Sequence, residues 1–347
     1  MIQHVNQCYF GDETQKAANA VPVNCHHQLP LSTLYGSGKL SSSDGQRFGV
    51  ERSSLLASVY PRYFGYYDKA ITIYTHISDQ FSIFSTQAIS CAPREAMYVL
   101  DGLLNNNTQL QPKAHTTDTH GYTEQLFALC YLLGFSFEPR LKDLPDQHLY
   151  RIDRLIEVGD LKSLFTGFAD LELIREQWDE LVRVAASLKN KVSPAHVVLQ
   201  RLTNASPQDR LAKAVNALGR IVKTIFILKY ISDPELRSKI QRQLNRGESR
   251  HDLVKALCFA NQGEFKTGDY DQIMNKASCL SLACNAVLVW NTMEIEKIVR
   301  ALRMSGQPVS DADVLLISPL LRKHVVPNGT YFHRYAQNAR SITLFPE

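Results

Sequence analysis

The sequence predicts a mixed α/β fold in which a long helical insertion interrupts the sheet-forming core. Three observations lead there. Between positions 38 and 143, segments rich in aromatic and β-branched residues alternate with short amphipathic helices in the order β-β-β-α-β-α-β. The stretch 144–244 then has helical periodicity almost throughout. Finally, Asp44, Asp118 and Glu248 fall on these elements at large, uneven spacing. That pattern is expected where a fold gathers carboxylates from distant parts of a chain to hold two divalent metal ions that cut and join phosphodiesters.

Composition narrows the class. With 347 residues, 44% hydrophobic and 21% charged, the chain can bury a substantial core and does not have the profile of a disordered protein. Its seven cysteines are odd in number, scattered and without CxxC spacing, which suits reduced thiols in a cytoplasm better than a disulfide framework. Cys25-His26-His27 lacks a second ligand pair nearby for zinc. No apolar run is read as reaching the roughly 18 residues of a membrane span. The start, MIQHVNQCYFGDETQ, has no basic region followed by an apolar one. A soluble, cytoplasmic chain with no membrane partner is therefore expected. Net charge is only +4, yet Arg210–Lys255 holds eleven Lys/Arg against four Asp/Glu. That local surplus surrounds Glu248 and points to a polyanionic partner.

Taken in order, residues 1–37 are polar and weakly periodic and read as a connector. The first part of the core is 38–143. KLSSSDGQRFGV is a strand with Asp44 near its middle. YFGYYDKAITIYTHI and FSIFSTQAIS follow as an antiparallel hairpin turning at Ser78-Asp79-Gln80. Pro93 starts the helix PREAMYVLDGLLNN, where its missing N–H costs least, and Ala96, Leu100, Leu103 and Leu104 form the apolar face. PKAHTTDTH delivers Asp118 at the end of a strand. Gly121 and Thr123 lead into the helix EQLFALCYLLG, which Gly134 closes, and FSFEPRL is the last strand. This order is that of an RNase H-like sheet (the retroviral integrase superfamily). The insertion 144–244 includes LELIREQWDELVRVAASLKNK and QDRLAKAVNALGRIVKTIFILKYI. The second part of the core, 245–304, contains Glu248 in a helix broken at or curved through Gly247, then a long apolar helix ending at Met304. Residues 305–347 form a small tail.

In such a sheet Asp44 on the first strand and Asp118 at the end of the fourth are neighbours. Two adjacent carboxylates repel each other unless a cation lies between them, which makes the pair a natural Mg²⁺ or Mn²⁺ site. Glu248 completes it from its helix. Each acid alone has a plainer explanation: a turn at Asp44-Gly45, a helix cap at Asp118, a solvated helix face at Glu248.

The blocks SSSDGQRF, TDTHGYTEQLF, LGRIVKTIFILKYI, LNRGESRHDL and NAVLVWNTMEI resemble the C-terminal catalytic domain of the transposases of class II replicative transposons, the Tn-three family. The resemblance runs from about Ala18 to Tyr331. It implies a DDE enzyme with Asp44, Asp118 and Glu248 as catalytic and metal-holding acids, and Mg²⁺ as cofactor with Mn²⁺ able to substitute. It also implies a two-step reaction, cleavage that frees a 3′-hydroxyl followed by attack of that hydroxyl on target DNA. Residues sharing the matching blocks are assigned with it. Arg47, Arg250, Arg246 and His251 are expected on DNA phosphates, while Gln46, His120 and Glu124 are expected to support the acids. Lys213, Arg220, Lys223 and Lys229 line either a DNA channel or an ordinary solvated face. The implied partners are transposon ends and target DNA, with a homodimer or an association with full-length transposase, at the bacterial nucleoid. Family members are several times longer, and their N-terminal regions read the terminal inverted repeats. The chain is thus expected to carry the chemistry without choosing its ends unaided, since base contacts specify and phosphate contacts only position. Two other readings remain open, a metal-dependent nuclease of the same fold and a truncated, non-catalytic DNA-binding or interfering fragment.

Overall fold

The structure is a computed structural model that describes residues 9–59, 67–91, 95–119, 121–153, 155, 157–326 and 329. The polar N-terminal stretch is not a loose connector. It folds into α1 (Asp12–Gln28) and α2 (Pro30–Tyr35). Apart from Val23, what α1 buries is polar (Gln15, Asn19 and His26), so no apolar stripe announces it. Its Asn19 donates to the carbonyl of Ile83 at 2.9 Å, and the His26 ring lies 3.0 Å from both Ser82 Oγ and Thr292 Oγ1.

The sheet follows: β1 (Leu40–Val50), the two-residue β2 (Ser58–Val59), β3 (Lys69–Ser78) and β4 (Ile83–Ser90). A 3-10 turn at Glu95–Tyr98 leads into α3 (Val99–Leu104), then β5 (Ala114–Thr116), α4 (Glu124–Leu132) and β6 (Ser136–Phe137). Strand β1 lies centrally, antiparallel to β3 on one side and parallel to β5 on the other. Beyond them β4 pairs antiparallel with β3, and β6 pairs parallel with β5. The expected hairpin is therefore present. Thr123 caps α4 through its side chain, and Gly134 takes φ 83° just past its end.

The insertion departs from its expected all-helical character. Its first part forms a small parallel pair, β7 (Leu149–Arg151) and β8 (Phe165–Phe168), separated by a 3-10 turn. Helices begin only at α5 (Leu171–Glu176), followed by α6 (Trp178–Lys189), α7 (Ala195–Thr203) and α8 (Arg210–Ser232). The core continues through α9 (Pro234–Leu257), which runs unbroken through Gly247. Helix α10 (Tyr270–Met304) and the short α11 (Asp311–Leu315) complete the described elements. The aromatic run YFHRY and much of YFGYY lie outside the described residues.

Alternation along β3 distributes side chains to both faces of the sheet. Ile71, Ile73 and Ile77 join a core with Phe48, Leu253, Ile273 and Leu288, drawn from β1, α9 and α10. Tyr74 joins the opposite core with Leu100, Phe127, Leu199 and Ile227. The insertion thus shares its apolar interior with α3 and α4 across the boundary expected at 144. Helix α10 corrects a second expectation. It is long and apolar enough, by length and composition, to cross a membrane. Here it turns Ile273, Ala277, Ser281, Cys284, Leu288 and Ile295 inward, the spacing of a helix covering a sheet.

Two glycines give opposite expectations. A Cβ at Gly219 would lie 1.9 Å from the carbonyl oxygen of Glu124, so α8 and α4 meet there backbone to side chain-free backbone. One at Gly247 would meet nothing within 4 Å. Gly219→Ala should therefore lose about 1–3 kcal/mol or more, and Gly247→Ala should gain about 0.5–1 kcal/mol from lower unfolded-state entropy, both read by urea denaturation.

Buried histidines set an acid limit. Burial pushes His26 and His76 down to about 4, and His115 well below its ordinary range. Below about pH 6.5 the unfolded chain takes up protons that these folded histidines refuse. Stability should fall between about pH 6.5 and 4, by up to about 1.4 kcal/mol per pH unit for each. The raised carboxyl groups of Asp44 and Asp79 offset part of this over the same range. His26→Asn should flatten the measured stability–pH curve; an unchanged slope would contradict the assignment.

Candidate active site

Asp44 is held by the middle of the sheet. It stands opposite Thr75 in the β1–β3 ladder, its carbonyl accepts from Thr75 Oγ1 at 3.4 Å, and its carboxylate accepts the Gly45 N–H at 2.7 Å. A Cβ at Gly45 would strike Glu95 Oε1 at 2.5 Å and Thr72 Cγ2 at 2.6 Å. Glycine is therefore what lets the Glu95 carboxylate come close to β1, where it accepts from Arg47 Nη2 at 3.0 Å.

Helix α9 supplies the other half. It is pinned to the sheet by buried Gln243, whose Nε2 donates to Ser42 Oγ at 3.1 Å and to the carbonyl of Ile77 at 3.4 Å. Gln46 Nε2 donates to the carbonyl of His251 at 3.3 Å. So fixed, α9 projects Glu248 and His251 towards Asp44. His251 Nε2 lies 3.5 Å from Asp44 Oδ2 and Nδ1 lies 3.4 Å from Glu248 Oε2. One donor atom from each of Asp44, Glu248 and His251 falls within 4.8 Å of the others. Glu248 is 75% accessible and Asp44 28%, so the group opens outward.

The electrostatics are those of a carboxylate in need of a cation. Burial pushes Asp44 up to about 7; Arg250 and the Gly45 N–H pull against this, and Glu95 and Asp118 add to it. Arg250 is only 2% exposed, and burial lowers its pKa while Asp44 opposes that shift. Its Nε and Nη2 have no hydrogen-bond partner among the described residues, and its charge acts on Asp44 through space. Burial, with Arg250 and Lys255, pushes His251 down to about 3. The imidazole is thus neutral near pH 7 and its contacts with the two acids are not ion pairs. A neutral imidazole beside two carboxylates is a ligand set that a divalent ion accepts.

The sequence-derived residues fare unevenly. Asp44 and Glu248 are brought together. Asp118 is exposed, two residues beyond the end of β5, and outside the tight group, though close enough for its charge to be felt at Asp44. Its position beyond the ladder, not within it, explains the looser placement. Arg250, expected on phosphate, is buried beneath the acids instead. Arg246 is turned inward, donating to the carbonyls of Asp79 at 2.6 Å and Tyr35 at 2.9 Å and lying over Phe81. Arg47 pairs with Glu95. In the insertion, Arg220 pairs with Glu124 at 2.9 Å and lies over Tyr150, and Lys223 lies over Tyr122. Glu124 therefore ties α4 to α8. Lys213 and Lys229 are exposed, Gln46 is buried, and His120 lies outside the described residues. Sequence reasoning missed Glu95 near Asp44 and the ligand-like position of His251. The spacing of Glu248 and His251, three apart on one helix, was the available signal for the latter.

A carboxylate–imidazole centre carried by a central strand and a crossing helix defines a class of cation-accepting site on a mixed α/β sheet. Comparison makes the class specific. Residues 1–331 match the family model described as Tn3 transposase DDE domain, and the chain belongs to that family. It is 39% identical over 331 residues to the transposase for transposon Tn1546 of Enterococcus faecium, covering 95% of this chain and 33% of that protein. It is 37% identical over 330 residues to the transposase for Tn501 of Pseudomonas aeruginosa, with 95% and 33% covered. Against the transposase for gamma-delta of Escherichia coli (strain K12) it is 36% identical over 334 residues, again with 95% and 33% covered. The chain spans about a third of the length of the curated relatives it matches.

The Asp44–Arg250 pair is testable as a unit. Arg250→Met alone removes the charge that favours ionised Asp44, and its effect on stability should be non-additive with that of Asp44→Asn by about 0.5–3 kcal/mol. Strictly additive effects in urea denaturation would remove the coupling.

Proposed function

We propose that the chain is the catalytic domain of a replicative DNA transposase, with Asp44, Asp118 and Glu248 as its three acids. The observation that carries this reading is the convergence of Asp44 from β1 with Glu248 and His251 from α9, in a chain of the Tn3 transposase DDE family. The strand order β4-β3-β1-β5-β6, with the first three antiparallel and the last two parallel to β1, supports an RNase H-like fold. On this reading the core is formed by 38–143 and 245–304, and 144–244 is the family's insertion.

The donor set fits a divalent cation. Asp44 is raised by burial and by two neighbouring acids, and a bound cation would relieve all three effects. Asp44, Glu248 and Asp118, with His251 beside them, would hold Mg²⁺ or Mn²⁺, which supplies Lewis-acid stabilisation of the phosphoryl oxygens and lowers the pKa of the attacking hydroxyl or water. The protein's own task is placement. Ladder-held Asp44 and helix-held Glu248 fix where the reacting phosphodiester lies, and pre-organised charge is the main source of rate in phosphoryl transfer. Buried Arg250 keeps the acid cluster from excess negative charge. The same centre serves cleavage by water and then attack by the freed 3′-hydroxyl, because both are in-line displacements at phosphorus. Partners on this reading are transposon-end and target DNA, together with a second copy or a full-length transposase, at the nucleoid of the cytoplasm.

A precut transposon end incubated with supercoiled target DNA and Mg²⁺ or Mn²⁺ tests the assignment. Joined products are expected from the unaltered chain and should fall by at least about a hundredfold in Asp44→Asn, Asp118→Asn and Glu248→Gln, with duplex binding retained. Nicks without joining would point to a nuclease, and neither product to a DNA-binding fragment.

A further inference from the structure

At the edge of the sheet where β1 and β5 begin lies a cleft of about 440 Å³, lined by Lys39, Lys113, Lys239, Arg242 and Arg246 with one acid, Asp79. We infer that this cleft binds a second stretch of DNA backbone, remote from the phosphodiester that reacts at Asp44; the inference rests on the transposase reading above.

The topology forces the cations together. Lys39 and Lys113 immediately precede β1 and β5, and parallel pairing aligns them: the N–H groups of Lys113 and Ala114 both donate to the Lys39 carbonyl, at 2.7 and 3.0 Å. Both side chains are exposed, as is Arg242, and none of the three has an ion pair among the described residues. Three unpaired cations around one concavity repel each other, and a polyanion is the ligand that relieves this. The single lining acid does not fill that role. Asp79 already accepts the N–H groups of Ser37 and Gly38, at 3.1 and 2.8 Å. Lys239 reaches Glu138 only at 3.5 Å. Arg246 is fixed to backbone carbonyls and forms the floor, contributing charge without moving.

The cleft is separate from the acid centre. At about 100° per residue, Lys239, Arg242 and Arg246 fall within roughly 60° on one flank of α9, and Glu248 emerges on the opposite flank. Lys239 also lies about 13 Å along the helix axis from Glu248, a distance of about four base steps of duplex. A phosphate reacting at Asp44 cannot also occupy the cleft. Backbone further along the same duplex, or that of a second duplex, can. Phosphates on both flanks would clamp DNA about α9 and hold the reacting strand in register without reading its sequence.

The test compares Lys39→Ala/Lys113→Ala/Arg242→Ala with Lys297→Ala/Arg300→Ala/Arg183→Ala, a control removing three exposed cations that already have helical acid partners. Binding to a labelled duplex several turns long is followed by fluorescence anisotropy across a salt series, with melting temperature checked for each variant. Loss of three phosphate contacts should make the log K against log salt slope shallower by about 2.7 and weaken binding at least tenfold near about 0.15 M salt, with the control close to the unaltered chain. Equal slopes in the cleft variant and the unaltered chain, or equal changes in both variants, would overturn the cleft while leaving the acid centre standing. No duplex binding by the unaltered chain would overturn both readings. Independently of any substitution, bound DNA should protect Lys39 and Lys113 from amine acetylation relative to Lys297, and equal labelling would refute the proposal.

Discussion

Helix α9 crosses the central strand with Gln243, Gly247 and Arg250 turned inward, so an arginine and an amide sit where most helices bury leucine. Burying such groups is costly unless they are matched. Gln243 is matched by Ser42 and the Ile77 carbonyl, while Arg250, whose Nε and Nη2 have no hydrogen-bond partner among the described residues, is offset only in part by the charge of Asp44. The crossing is therefore specific in a way that an apolar contact is not, because it is favourable only in the register that aligns these groups. That register decides where Glu248 and His251 emerge.

Other parts of the chain support this contact. The sheet's two faces are covered by different helices, with α9 and α10 on one side and α3, α4 and the insertion on the other. The insertion does not stand apart from the sheet. Arg220 binds Glu124, and Gly219 lets α8 lie directly on the backbone of α4. The segment that separates Glu248 from the strands in sequence thus returns α9 to the sheet through a packed interior. Buried polar contacts do similar work at the N-terminal side, where Asn19, Asn285 and the Ile83 carbonyl lock α1, α10 and β4 together.

Much of this was legible because local chemistry is repetitive. Aromatic and β-branched residues in KAITIYTHIS and the hairpin residues Ser78–Gln80 mark the strands, and the apolar row of α10 marks a long helix. Asp44 is visible as an acid set within a strand. The polar helix α1 was not legible, since its inward groups other than Val23 are Asn, Gln and His. Nor was the β7–β8 pair, whose strands are too short to alternate clearly. Basic residues were the least legible. Helical spacing alone makes Arg220, Arg246, Arg250 and Lys213 look equivalent, yet the fold pairs the first, anchors the second, buries the third and leaves the last in solvent.

By itself the sequence determined the main strands and helices of the core and the family to which the chain belongs, and it singled out Asp44 and Glu248 as candidates, because these depend on periodicity and on short blocks of neighbouring residues. Tertiary structure alone decided which charges face each other. It set Arg250 under Asp44, brought His251 between two carboxylates, kept Asp118 beyond the ladder and placed Lys39 beside Lys113. Those outcomes arise from strand register and helix crossing, which join residues tens to hundreds of positions apart, and electrostatic interaction depends on that separation in space and on burial.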